Sequence, residues 1–498
     1  MLAAALVLLP VVTKHALCKL GIETWGVVRE MEIPMQSDRQ SNCVRRVSIT
    51  LILGGLYLLI ARPVLAQTQD AHPPDLPQMQ KKIEQLEQEL HDLKQQVAAA
   101  APTTTSDSKS NGQAPAVTPA EKSKSDSTVD FYGYAMLDSG YQFNTNDPNW
   151  FDVVRPTKLP SFKGEFAPDG KVFYGVRQTR FGVKAFTPTA LGDLKTLFEF
   201  ELFGTGQEAG QTTFRLRHAY GELGHFGGGQ TWSAFMDIDV FPNSLEYWGP
   251  NGMVFFRNVQ VRWMPVQGES NVVIALERPG ASADQGIYSN RIELQGIIPQ
   301  FKWPDLTGHV RVARKWGYVQ VGAIFRKIAW VDTNAAAFNL SGTAYGWGVN
   351  TSSNLNLSKN NVAKLQVVYG EGIENYMNDA PVDIGIKNNF SNPVQPIKGV
   401  SLPVLGVVAF LDHTWSEHFT TSAGYSLVNI ANSNAQLPVA FHQGGYALGN
   451  LLYHPTKRVT MGGEFQFGRR LNFTDGFNTN DYRLQVSLKY DWSKGFEY

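Results

Sequence analysis

The sequence RLQVSLKYDW at residues 483–492 alternates polar and apolar side chains without a break. Successive side chains of a β-strand point to opposite faces, so this period of two predicts a strand with one apolar and one polar face. The same pattern recurs in TLFEFELF at 196–203 and in FRLRHAYGE at 214–222. In the last of these, alternation places Tyr220 on the apolar face with Phe214 and opposite the arginines.

The polar face of these strands decides the fold class. A soluble β-sandwich needs a second sheet over its apolar face, whereas a transmembrane barrel turns that face to lipid and its polar face to a water-filled lumen. Short connections at 188–193 and 454–458 alternate with long ones at 144–170 and 370–400, as periplasmic turns and outer loops do. We therefore predict an all-β fold: a transmembrane antiparallel β-barrel of about 16 strands at residues 128–498, with both termini on the periplasmic side.

Residues 1–66 have the features of an export leader. Basic residues at 45–46 precede a short apolar run at 47–60, and small residues follow up to Ala66. This order is typical of a secretory signal peptide cleaved after Ala66, and the apolar run is shorter than a membrane-spanning helix requires.

The leader changes what the composition means. Translation is predicted to begin at Met31 or Met35, and both cysteines, Cys18 and Cys43, lie in the part that is removed. The mature chain then has neither disulfides nor thiolate chemistry. The full chain has 44 basic and 44 acidic residues; removing the seven basic and four acidic ones of the leader leaves 37 and 40. This balance argues against nucleic-acid binding.

Residues 67–100 predict a short periplasmic coiled coil. Apolar residues recur at alternating spacings of three and four, which is typical of a heptad seam in a self-associating helix. The seam residues are Met79, Ile83, Leu86, Leu90, Leu93 and Val97. Residues 101–127, rich in Ala, Pro, Thr, Ser and Lys, predict a disordered linker between this helix and the barrel.

Several motifs resemble one known family in their order along the chain. They are RHAYG at 217–221, GQTWSAFMD at 229–237, WGYVQ at 316–320, YGEGI at 369–373 and NLLY at 450–453. Together they are similar to the DcaP-like family of trimeric outer-membrane porins.

This resemblance extends over residues 128–492 and includes the preceding coiled coil. It implies a homotrimer of sixteen-stranded barrels in the bacterial outer membrane, each passing small anionic solutes such as dicarboxylates. The expected partners are outer-membrane lipid and the outer-membrane assembly machinery, with peptidoglycan as a partner only in the tethering alternative. Family members end soon after the last strand with an aromatic residue; here alternation ends at Trp492, and residues 493–498 follow, with Tyr498 as the candidate aromatic.

Charged residues on the polar strand faces are the candidate pore lining. Arginines along a narrow aqueous passage concentrate anions and can form paired hydrogen bonds with carboxylates. Alternatively, they neutralise glutamates on adjacent strands and only stiffen the wall. The set comprises Arg180, Lys184, Arg215, Arg217, Arg257 and Arg262, with Glu199 and Glu201.

Residues 230–250 form the candidate constriction loop. By resemblance to general porins the loop folds into the barrel, and its carboxylates are expected to face the arginines. The alternative is an ordinary outer loop near a trimer axis. The residues singled out are Trp232, Asp237, Asp239 and Glu246.

The remaining function classes are less well supported by the sequence. His413 and His418 have the wrong spacing for a zinc-peptidase helix and lie in a strand–turn–strand pattern. We predict no enzyme activity, cofactor or metal. A phosphate-selective porin, a carbohydrate porin and a tether between the outer membrane and the cell wall remain as alternatives to anion diffusion.

Overall fold

A computed structural model describes residues 127–335 and 338–497 of the chain. The predicted leader, the coiled coil and all but the last residue of the predicted linker lie outside the described residues. The described residues are therefore almost entirely those of the predicted barrel.

Twenty strands make up the described fold, in the alternating pattern that the sequence predicts. They are β1 (Thr128–Gln142), β2 (Lys171–Gly175), β3 (Arg180–Thr189), β4 (Gly192–Phe203), β5 (Thr212–Leu223), β6 (Phe226–Trp232), β7 (Arg257–Val266), β8 (Asn271–Glu277), β9 (Ile297–Pro299), β10 (Asp305–Arg314), β11 (Gly317–Asp332), β12 (Gly342–Ser358), β13 (Asn361–Glu371), β14 (Ile384–Asn388), β15 (Ile397–Ser401), β16 (Pro403–Thr414), β17 (Phe419–Ile430), β18 (Phe441–Thr456), β19 (Val459–Asn472) and β20 (Asn478–Glu497).

The strands close into an antiparallel barrel. β1 pairs with β20 along its whole length, from Thr128 opposite Glu497 to Gln142 opposite Arg483. β2 and β3 both pair with β1 and so occupy one position in the ring, and β9 and β10 share a position beside β11. β14 and β15 form a separate hairpin. The ring therefore has sixteen positions, which confirms the predicted fold class.

Connections at one end of the barrel are short, and those at the other end are long. The end with the short turns also holds the first and last described strand residues, Thr128 and Glu497; we call it the turn end, and the opposite end the loop end. The loops at the loop end are L1 (143–170), L2 (204–211), L3 (233–256), L4 (278–296), L5 (333–341), L6 (372–402, which contains the β14–β15 hairpin), L7 (431–440) and L8 (473–477).

The last strand is longer than the alternation indicates. β20 remains paired with β1 beyond Trp492, up to Glu497. The ring of Phe496 packs edge-on against Phe131 at a centroid distance of 6.1 Å. Residues 493–497 are thus part of the barrel wall, because β1 extends far enough to supply their hydrogen-bonding partners.

The outer face of the barrel is apolar, as predicted. On β20, Leu484 and Val486 are 47% and 54% exposed, while the intervening Gln485 is fully buried and faces the interior. On β5, Phe214 is 76% exposed. An exposed apolar band of this kind is stable only against lipid or another apolar surface.

The inner face is not polar throughout, contrary to the simple expectation for a porin lumen. L3 and L6 lie inside the barrel and bury an apolar cluster against the inner faces of β11, β13 and β16–β18. Its L3 members are Phe235, Met236, Val240, Met253 and Val254, and its wall members include Ile324, Val368, Val404, Val408, Phe410, Val428 and Leu448. This internal core occupies one side of the lumen and leaves open space beside β3–β7.

Short 3-10 helices are the helical elements of the described residues. They are Pro148–Trp150, Pro156–Lys158, Gly206–Glu208, Ile238–Val240, Gly286–Tyr288, Ile292–Leu294 and Glu374–Tyr376. None of the described helices is long and apolar enough to cross a membrane.

Candidate functional site

Four arginines surround two glutamates on the inner wall formed by β3, β4, β5 and β7. Arg217 lies 2.6 Å from Glu199 and 2.5 Å from Glu201. The other three reach Glu201 at longer distances: Arg180 at 3.4 Å, Arg215 at 3.5 Å and Arg257 at 3.6 Å. We call these six residues the arginine cluster. Because arginine stays protonated in proteins, the cluster carries two more positive than negative charges.

A β-bulge lies within the arginine cluster. Glu199 is paired with His218 and Phe200 with Leu216, so Arg217 is an extra residue without a partner on β4. The bulge reverses the phase of β5 after Arg217.

Tyr220 consequently lies on the inner face, and its predicted place on the apolar outer face is wrong. It is paired with Leu197, which lines the lumen space, and the guanidinium of Arg262 lies 5.1 Å from its ring centroid.

The arginines of the cluster differ in their exposure to solvent. The side chains of Arg217 and Arg257 are 5% and 6% exposed, whereas those of Arg180 and Arg215 are 23% and 29% exposed. The first two therefore hold the cluster together, and the second two present their guanidinium groups to water.

Trp232, the last residue of β6, supports the buried arginines. The guanidinium carbons of Arg217 and Arg257 lie 5.4 Å and 4.9 Å from its ring centroid. Both distances suit a cation–π interaction, which is stronger in a partly desolvated site than in water. Trp232 thus lies against the arginine cluster, as part of the wall rather than of the loop that follows.

L3 meets the arginine cluster through Tyr247, which the sequence reasoning did not single out. Its hydroxyl group donates a hydrogen bond to Glu201, and its ring stacks on Phe203 at a centroid distance of 3.9 Å. The side of L3 that faces the arginines is therefore aromatic and neutral at this point.

The two aspartates of L3 point to the wall formed by β10–β12. Asp237 and Asp239 pair with Arg311 of β10, at 2.6 Å and 2.5 Å. Asp237 also accepts hydrogen bonds from Tyr318 at 2.8 Å and from Ser352 at 2.6 Å. The expectation that they face the arginine cluster is wrong, because L3 crosses the lumen and its start is fixed to β10–β12.

Glu246 is also turned away from the arginine cluster. Its carboxylate accepts hydrogen bonds from the backbone N–H groups of Val154, at 3.1 Å, and Gly249, and from the hydroxyl of Tyr446, at 3.2 Å. Complete burial raises the pKa of Glu246 to about 7, and the nearby carboxylate of Glu464 acts in the same direction.

L3 is fixed at its tip and at its flank. Glu464 of β19 accepts hydrogen bonds from the backbone N–H groups of Leu245 at 2.8 Å and Glu246 at 3.1 Å. Trp248 of L3 packs against the guanidinium of Arg155 at 4.0 Å, and Arg155 pairs with Asp379 of L6 at 2.9 Å. These contacts join L1, L3 and L6 into one internal unit.

Two predicted pore residues lie apart from the arginine cluster. Lys184 is 59% exposed and lies 3.8 Å from Asp130, two residues from the first described strand residue. Arg262 donates hydrogen bonds to the backbone oxygen of Trp232 at 2.6 Å and to Gln260 at 2.7 Å. Both lie on the inner face of the barrel.

An open space of about 550 Å³ lies between the arginine cluster and L3. One side of it is formed by Arg180, Glu199 and Arg217 of the cluster and the other by residues of L3. The lining includes Arg180, Glu199, Arg217, Trp232, Ile238, Phe241 and Tyr247. A second space of about 390 Å³ adjoins Arg262, Arg311 and Asp237. Within the described residues, no group of three or more histidines and acidic residues is placed to hold a metal ion.

Comparison with known proteins identifies the family. The family model of the DcaP outer membrane protein matches residues 65–491. The chain belongs to the DcaP outer membrane protein family. No curated protein sequence matches it.

Solved structures resemble this DcaP-family barrel in fold. The outer membrane channel DcaP of Acinetobacter baumannii is 19% identical, with a TM-score of 0.59 over 74% of this chain and 99% of that one. An anion-selective porin from Comamonas acidovorans is 10% identical, with a TM-score of 0.48 over 74% and 100% of the two chains. OmpT of Vibrio cholerae, as a loop-deletion mutant, is 13% identical, with a TM-score of 0.45 over 74% and 100%. The family and the barrel together make this chain an outer-membrane protein with the porin fold.

Proposed function

We propose that this DcaP-family barrel is a porin through which small anionic solutes, such as dicarboxylates, diffuse passively across the outer membrane. The observation that carries the proposal is the arginine cluster, with four guanidinium groups around two carboxylates beside an open part of the lumen. An excess of two positive charges against low-dielectric walls raises the local concentration of anions.

The exposed pair, Arg180 and Arg215, would contact the solute. Each is about a quarter exposed and bonds Glu201 only weakly, at 3.4 Å and 3.5 Å, so donors remain for a passing carboxylate. The buried pair, Arg217 and Arg257, would add positive charge close to the solute while staying fixed in the wall. In this arrangement both interpretations of the arginines apply: the buried pair would stiffen the wall, and the exposed pair would face the solute.

L3 would act as the constriction loop. Its apolar residues occupy part of the lumen beside β11, β13 and β16–β18. The proposed route for solutes passes through the space between L3 and the arginine cluster. In this proposal Trp232 and Tyr247 shape the narrow part, whereas Asp237, Asp239 and Glu246 fix the loop rather than create a field across the pore.

Orientation and assembly are parts of the same proposal. The turn end would face the periplasm, where the predicted coiled coil of residues 67–100 would help three chains to associate as a homotrimer. The coiled coil and linker could also contact peptidoglycan. The protein would then tether the outer membrane to the cell wall and still let solutes diffuse.

Ion selectivity tests the proposed function. In the double variant Arg180→Gln/Arg215→Gln the excess charge of the cluster falls from two to zero, so anion preference should largely disappear. The readout is the reversal potential of single channels in planar bilayers under a salt gradient. Arg314→Gln/Lys315→Gln is the matched control, because it removes two exposed charges at the short turn between β10 and β11, outside the cluster. An unchanged anion preference in the double variant would refute the role of the cluster.

A carbohydrate porin is the second candidate, on account of aromatic residues in the lumen. Trp232 and Phe241 line the open space, and Tyr220 faces inward after the bulge. Sugars stack on such rings. Titration of the channel with linear glucose oligomers and with succinate separates the two functions: current block by the sugar alone would favour the carbohydrate porin.

A further inference from the structure

A separate cavity of about 270 Å³ lies near the loop end, between L4, β9, β11 and the β14–β15 hairpin of L6. Its walls are mainly aliphatic and aromatic side chains. They include Ile297, Ile328, Trp330, Leu340, Ile384 and Ile397. Among the described residues that line it, none belongs to the arginine cluster.

Several polar groups at the edge of this cavity already have partners. Ser282 donates a hydrogen bond to Asn375 at 2.7 Å. Asp284 accepts hydrogen bonds from the backbone N–H of Gly286 at 2.8 Å and from Gln436 at 2.9 Å. The indole N–H of Trp330 donates to the backbone oxygen of Leu340 at 2.8 Å. Water inside the cavity would therefore find few hydrogen-bonding partners, and an ordered water needs two or more.

The cavity is large enough for a ligand. An engineered apolar protein cavity of about 150 Å³ stays dry and binds benzene or xenon, and this one has about 270 Å³. Its lining residues Pro299 and Lys398 are exposed, so the cavity has an edge at the protein surface through which a small molecule could enter.

We propose that this cavity is a binding site for small uncharged apolar molecules, of the size of one substituted aromatic ring. The site is independent of the anion route, because it has different walls and no excess of positive charge inside it. Occupancy would leave ion selectivity unchanged, so a failure here and a failure of the proposed function are distinguishable.

Crystals of the full protein, pressurised with xenon or soaked in bromobenzene, test the proposal directly. Anomalous difference density for both probes is expected between Trp330 and the hairpin. In solution, saturation-transfer fluorine NMR with fluorobenzene should show binding to the wild type above the signal from detergent micelles alone.

Two variants separate the cavity from other apolar surfaces. Ala281→Phe places a ring in the cavity and should remove most of the fluorobenzene signal, whereas Val394→Phe adds a ring to the same loop region at a residue that is 58% exposed and should not. If Ala281→Phe does not assemble, Ile397→Gln, which puts an amide into the apolar wall, should also weaken binding. Two results would overturn the proposal: absence of probe density in the cavity, or the protein's own chain filling it.

Discussion

At the scale of single residues, burial separates two roles within the arginine cluster. Arg217 is 5% exposed and bonds both glutamates at 2.6 Å or less, whereas Arg215 is 29% exposed and lies 3.5 Å from Glu201. Removing one partner of a close, buried ion pair is strongly destabilising, while a partly exposed and longer pair contributes little.

The two arginines should therefore respond differently to neutralisation. Arg217→Gln is expected to cost about 3–5 kcal/mol of stability, and Arg215→Gln less than about 1 kcal/mol. The temperature at which the folded barrel loses its fast mobility in SDS gels provides the comparison. Equal losses in the two variants would contradict this division of roles.

Glu246 should make stability dependent on pH. Burial raises its pKa in the folded state from 4.5 to about 7, so between these values unfolding releases a proton. The free energy of unfolding then falls as pH rises through this window, by up to about 3 kcal/mol from this group. The variant Glu246→Gln should lack this component. The difference between its melting temperature and that of the wild type should therefore shift in favour of the variant from pH 5 to pH 8. A constant difference across this range would argue against a protonated Glu246.

At the scale of elements, L3 behaves as part of the barrel's interior rather than as a surface loop. Phe235 is fully buried between L3 and the inner wall, and its backbone oxygen accepts a hydrogen bond from Asn350 at 3.0 Å. Val254 of L3 also forms an isolated β-bridge with Met377 of L6. The apolar inner faces of β13 and β16–β18 exist because this loop covers them.

Shortening the side chain of Phe235 should therefore loosen the constriction. Phe235→Ala leaves a cavity in the internal core and is expected to cost about 3–5 kcal/mol, with larger and noisier single-channel currents. Phe214→Ala is the matched control, since that ring is 76% exposed on the outer face. Steady currents of wild-type size in Phe235→Ala would mean that L3 is held by its polar contacts alone.

The sequence predicts the outer wall of this barrel better than its interior. Alternation identifies the lipid-facing residues because lipid imposes one requirement along every strand. The inner face depends on contacts between distant segments: Asp237 pairs with Arg311, and Glu246 binds Val154. The side on which Tyr220 lies depends on a single inserted residue, which alternation cannot reveal.

At the scale of the whole molecule, the ring of strands closes within the described residues. β1 starts at Thr128 and closes the ring against β20, so each strand edge of the ring has a partner within residues 128–497. In a closed barrel the backbone hydrogen bonds run between neighbouring strands of the same chain. Folding of one barrel and its conduction should then be separable from the association of barrels.

Deleting residues 67–127 behind an intact export leader tests this separation. The shortened chain is expected to insert and to conduct with an unchanged conductance per barrel, because the ring closes through β1 and β20. The predicted coiled coil would affect only the association of chains, so chemical cross-linking should detect fewer trimers. Replacing the seam residues Leu86, Leu90 and Leu93 with serine is the control that keeps the chain length. Loss of conductance in the shortened chain would show that the N-terminal segment is part of the channel, whereas equal trimer yields in all three proteins would place the association in the barrel walls.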